Sequence, residues 1–121
     1  PAQLRAIVEV LPTDLPAGNP HSSQVLADVL LALGDRQRAG EYAAQAFATH
    51  RTSPLATAVA RAAGASGDTD NAVRWLEAAA HATGGEPDGY RLLLTRTMDR
   101  APELAAVRTA AGYRELRAQL V

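Results

Sequence analysis

One phrase occurs twice in this chain at a fixed distance. Leu33-Gly34-Asp35 is followed by Ala39, Tyr42 and Ala46, and Ser66-Gly67-Asp68 by Ala72, Trp75 and Ala79. Each residue of the second set stands 33 positions after its counterpart. A period of this size marks stacked supersecondary units, each burying its apolar face against its neighbours, rather than one wrapped core. Such units usually bind other macromolecules and carry no chemistry of their own.

The units read as helices. Alanine dominates, Ile7 is the single isoleucine, and period-2 alternation is scarce. Pro and Gly fall at intervals that cut the chain into helix-sized pieces. The pattern predicts helices near 2–10, 21–33, 36–50, 54–65, 69–83, 87–98, 102–109 and 111–120. Gly34 and Gly67 follow the end of one helix, where a left-handed residue closes the last turn. Asp35 and Asp68 come next, placed to accept from the free N–H groups of the helix that follows. Ser53-Pro54 reads as a cap followed by proline at the first helical position. Glu86-Pro87-Asp88 and Ala101-Pro102-Glu103 repeat that form. Ala39, Tyr42, Ala43, Ala46 and Phe47 share one stripe of their helix. Ala72, Val73, Trp75, Leu76, Ala79 and Ala80 share the matching stripe of theirs. Trp75, the only tryptophan, is expected to be largely buried between the second and third hairpins.

These residues resemble the tetratricopeptide repeat (TPR) family over about residues 20–120. Gly34 and Gly67 match its turn glycine, Ala39 and Ala72 the small residue opening its second helix, and Ala46 and Ala79 the later small position. Leu26-Ala27 and Val59-Ala60 match the apolar-small pair of its first helix, and Tyr90, Leu93 and Leu94 suit a third first helix. Ala101-Pro102-Glu103-Leu104, Val107-Arg108 and Tyr113-Arg114-Glu115-Leu116 resemble the closing cap of bacterial TPR proteins. Ser23 and Ala56 stand where the family prefers Trp, so the repeats are degenerate. The resemblance implies an all-α, right-handed solenoid of helix hairpins, about 7–8 helices, over 20–121 with C-terminal capping helices. Residues 1–19 lie outside the resemblance and are expected to be an N-terminal helix and linker, either the second helix of a preceding partial repeat or a leftover linker. In a TPR stack the first helices line a concave groove. By that register Gln24, Asp28, Thr57, Arg61, Arg91 and Thr95 point into it, and Arg61 with Arg91 would converge on one carboxylate.

Composition narrows the functions. The 121 residues carry net charge −1, with 12 basic residues that are all arginine. That balance gives no basic footprint for nucleic acid. The longest apolar run, Val25 to Leu33, is broken by Asp28, so no membrane insertion is expected. Absence of cysteine removes disulfide and thiolate chemistry. His21, His50 and His81 show no ligand spacing, so no metal site or cofactor is expected. Asp68-Thr69-Asp70-Asn71 opens like a calcium loop but has Val73 and Ala79 where glycine and glutamate are required. Thr83-Gly84-Gly85 lacks the strand and the Lys-Ser/Thr of a phosphate loop. No nucleophile, base and acid can be assembled, so the chain is not expected to be an enzyme. Arg36, Arg38, Arg74, Arg114 and Arg117 read as a solvated surface.

The expectation is therefore a protein–protein interaction module that takes a peptide or partner helix in its groove. The chain begins at Pro1 rather than Met and is rich in Ala and Arg, which reads as a piece of a larger bacterial, cytoplasmic protein. Two alternatives are a ligand-sensing regulatory domain and a structural or oligomerisation arm.

Overall fold

A computed structural model describes residues 20–120, and all of its regular structure is helical. The helix expected at 2–10, and the segment 1–19 with it, lies outside the described residues. Six α-helices follow in order: α1 Pro20–Ala32, α2 Arg36–Thr49, α3 Ser53–Ala65, α4 Thr69–Thr83, α5 Asp88–Arg100 and α6 Ala111–Gln119. Between α5 and α6 lie two single turns of 3-10 helix, Pro102–Leu104 and Val107–Thr109. The continuous helix expected at 102–109 does not form. Ala101 is extended, and Leu104 and Val107 both turn fully into the core, a spacing that two tight turns satisfy.

Both Gly-Asp joints are built alike. Gly34 and Gly67 each have φ of +82°. The Gly34 N–H donates to the Leu31 carbonyl (3.0 Å) and the Asp35 N–H to that of Leu30 (2.9 Å). At the second joint Gly67 N–H donates to Gly64 (3.1 Å) and Asp68 N–H to Ala63 (2.9 Å). This doubled bond satisfies two carbonyls that the ending helix leaves open. The carboxylates of Asp35 and Asp68 then accept from the N–H of Arg38 and Asn71 (both 3.3 Å). At α3 the cap is Thr52 rather than Ser53: its Oγ1 accepts from the Leu55 N–H (3.4 Å). Pro87 begins α5 with no side-chain cap, and Glu86 serves a different helix, described below.

Each helix from α1 to α4 packs on the next, α6 packs on α4 and the second 3-10 turn, and α3 also meets α1 and α5, which sets these three in one row. The second row is α2 and α4, joined where the rings of Phe47 and Trp75 meet edge-to-face at 5.3 Å. The centre is α3, which touches α1, α2, α4, α5 and the first 3-10 turn. Its residues Leu55 to Ala60 and Ala62 are all buried. Alanine lets the neighbouring axes come close: a β-carbon on Gly40 of α2 would lie 3.2 Å from that of Ala62.

The large side chains collect at the C-terminal end. Leu76, Leu94, Met98, Leu104, Val107, Tyr113 and Leu116 form one cluster there, while α1 and α2 close over Leu30 and small residues. Trp75 is only partly buried, where a largely buried position was expected; it meets Phe47 of α2 and packs against both the inner alanine cluster and the main cluster that holds Leu94 and Met98. The fully buried anchors are Leu55, Leu76, Met98, Leu104 and Val107. Arg108 Nη1 donates to the carbonyls of Met98 (2.8 Å) and Ala101 (3.0 Å), and the buried Tyr113 hydroxyl donates to Met98 (2.8 Å). The segment after α5 thus answers the open carbonyls at the end of α5. Arg117 adds a two-point pair with Asp99, Nε–Oδ1 2.9 Å and Nη2–Oδ2 3.0 Å.

Candidate functional site

Because α1, α3 and α5 run side by side, the residues one turn apart on each form a common trough. Near the helix starts it is lined by Gln24, Pro54, Glu86, Pro87, Tyr90 and Leu93. The middle shares Gln24, Pro54, Tyr90 and Leu93 and adds Asp28, Thr57, Ala58, Arg61, Leu94 and Thr97. The far end shares Arg61 and Thr97 and adds Arg96, Arg100, Pro102 and Glu103. The shared residues make these one continuous groove along the helix axes.

Four of the six residues expected in the groove are brought together there. Gln24 Nε2 donates to Asp28 Oδ2 (2.9 Å). Arg61 reaches from α3 to Asp28 of α1, Nη1–Oδ1 3.0 Å, and to Glu103 of the 3-10 turn, Nη2–Oε1 2.9 Å. Thr57 lines the floor, with its hydroxyl already donating to the Ser53 carbonyl (2.7 Å). Arg61 is therefore held between two carboxylates and is no free carboxylate receptor. Burial pushes the Glu103 carboxyl up, but the Arg61 hydrogen bond, its own backbone N–H and the Arg61 charge hold it below the ordinary glutamate value.

Arg91 and Thr95 are not in this groove, and the convergence of Arg61 with Arg91 is corrected here. Arg91 lies beside α6, where Nη2 donates to the Gln119 carbonyl (3.0 Å). Thr95 is buried and donates to Leu92 (2.9 Å). The cause is the rotation of α5. Tyr90, Leu93 and Leu94 read as a core stripe, which would leave 91 and 95 facing the groove. The core instead takes Leu94, Thr95 and Met98, because the closing segment packs on that side. Tyr90 and Leu93 are turned into the groove, 40% and 52% exposed.

Three groove features escaped the sequence reading. Glu86 sets Oε2 3.0 Å from the Ser53 N–H, a carboxylate on the first turn of α3 supplied by the next joint. Glu103 answers Arg61 from the closing segment. Arg96 and Arg100 stand exposed at the far end with no hydrogen bond or ion pair. The one readable signal was the Arg96, Arg100 spacing of four on a helix face.

Among the described residues no group of three or more His, Asp or Glu is gathered to hold a metal ion, and no helix is long and apolar enough to cross a membrane. Of the arginines read as a solvated surface, Arg36 donates to the Ala65 carbonyl (3.2 Å), Arg114 to Thr109 (2.8 Å), and Arg117 pairs with Asp99. The chain matches no known protein-family profile, no curated protein and no solved structure.

Proposed function

We propose that this chain is a TPR-like interaction module, a right-handed stack of helix hairpins whose α1/α3/α5 groove holds a peptide or partner helix of another protein. The observation that carries this reading is the pair Tyr90 and Leu93. Both are more than a third exposed, and both stand in the groove that runs along the first helices. Large apolar side chains turned into a trough, with polar residues around them, are the ordinary signature of a docking surface. The paired Gly-Asp joints and the residues that close α5 agree with the repeat reading. The hydroxyl of Thr57 and the carboxylates of Asp28 and Glu103 are already engaged within the chain, which suits a binding surface.

The test is selection of random dodecapeptides displayed on phage against the whole chain. Clones are then measured against Tyr90→Ser with Leu93→Ser, and against Leu92→Ser as a control. Leu92 is 55% exposed but does not line the groove. The expected result is loss of binding in the first variant, retention in the second, and unchanged melting temperatures in both. Clones indifferent to Tyr90 and Leu93 would overturn the reading.

A further inference from the structure

The charges of the groove are unevenly answered. Arg61 is neutralised twice over, by Asp28 and Glu103. Arg96 and Arg100 make no hydrogen bond, and the neighbouring Asp99, which feels the Arg100 charge, is bonded to Arg117. Like charges four residues apart on one helix face repel, so the pair costs the folded chain a little. Arg100 is in the last turn of α5, where the helix dipole favours a cation, but Arg96 lies a turn earlier and gains little from it. At the opposite end stands the carboxylate of Glu86. A uniformly charged polyanion such as nucleic acid would meet Glu86 and Asp28 along its path.

We propose that the occupant is an acidic peptide segment, with one apolar side chain seated at Tyr90, Leu93 and Pro54 and carboxylate side chains beyond it against Arg96 and Arg100. This rests on the groove reading above and adds the chemistry of the partner. From Tyr90 to Arg100 the helix axis advances about 15 Å at ~1.5 Å per residue. An extended chain advances ~3.3 Å per residue, so the acidic side chains follow the apolar one by about five positions. The interaction is charge-assisted, so it is both directional and sensitive to salt.

The experiment uses the phage clones that need Tyr90 and Leu93, remade as fluorescein-labelled peptides with amidated C-termini. Binding to the whole chain is followed by anisotropy at low and at moderate salt. The expected clones carry Asp or Glu a few residues from a leucine or aromatic residue. Exchanging those acids for their amides, or making Arg96→Gln with Arg100→Gln, weakens binding by about tenfold, as does added salt. The double variant keeps its melting temperature to within a degree or so, since both side chains are exposed and make no hydrogen bond. Clones that need Tyr90 and Leu93 but lack acids, or ignore the arginine variant, overturn this proposal and leave the groove reading standing. Absence of any clone that needs Tyr90 and Leu93 overturns both. A labelled single-stranded oligonucleotide that binds more tightly through the same two arginines would also overturn it.

Discussion

Gly67 and Gly64 stand three residues apart and are glycine for unrelated reasons. Around Gly67 there is open space, and only its φ of +82° resists a side chain. Gly67→Val is expected to cost on the order of 1–2 kcal/mol, the penalty of a β-carbon in the left-handed region. Gly64 is ordinary helix, but a β-carbon there would sit 2.5 Å from the Glu103 carbonyl oxygen and 3.2 Å from Leu104. Alanine in place of a helical glycine ordinarily gains about 1 kcal/mol. Here overpacking of roughly 1–3 kcal/mol opposes it, so Gly64→Ala is expected to lose stability. Urea unfolding of both variants checks this. A Gly64→Ala protein more stable than the parent would mean that the closing segment does not press on α3. The turn glycine was legible in the sequence because its role is local. The close-packed glycine was not, because its neighbour lies some forty residues further along.

At the scale of elements, the starts of the helices after Asp35, Asp68, Ser53-Pro54 and Pro87 were readable to within a residue or two, since a cap acts within four residues of itself, but Pro102 opened only a single 3-10 turn. The rotation of α5 was not readable. Tyr90, Leu93, Leu94 and Met98 are all apolar, and which of them faces inward depends on where Leu104, Val107 and Leu116 come to rest. Trp75 stands at the edge of the main cluster, partly exposed, with the Phe47 ring of α2 against it. Its partial exposure lowers the expected loss for Trp75→Ala to about 2–3 kcal/mol, below that of a fully buried aromatic. Its emission should be partly quenched by iodide, and Phe47→Leu should raise that quenching by removing the ring that covers one edge. Emission unaffected by Phe47→Leu would separate the two rings.

For the whole molecule, one guanidinium joins three segments distant in sequence. Arg61 on α3 holds Asp28 on α1 and Glu103 in the closing segment, and Glu103 titrates below its ordinary value in the folded chain. Asp99 does too, chiefly through the Arg117 hydrogen bond. A carboxylate whose folded value is depressed adds stability above its unfolded value and loses it as pH falls through the folded one. The melting temperature is therefore expected to hold from neutral pH down to the carboxylate range and to fall below it. Glu103→Gln should start lower at neutral pH and fall less on acidification. An equal fall in parent and variant would remove Glu103 from the balance.

The Arg61 contact also gives the chain a direction. Positions 28, 61 and 94 occupy the same place in successive units, and they hold a carboxylate, a guanidinium and a leucine. A chain with its first two hairpins exchanged would keep both Gly-Asp turns and the alanine pairs 27/60, 39/72 and 46/79 in register. The pair between positions 28 and 61 would survive in reverse, but an aspartate would then stand at the centre facing Glu103, and that carboxylate would lose its cation. The order of the two hairpins is thus written into the molecule as a sequence of charges, and they cannot be shuffled like interchangeable beads.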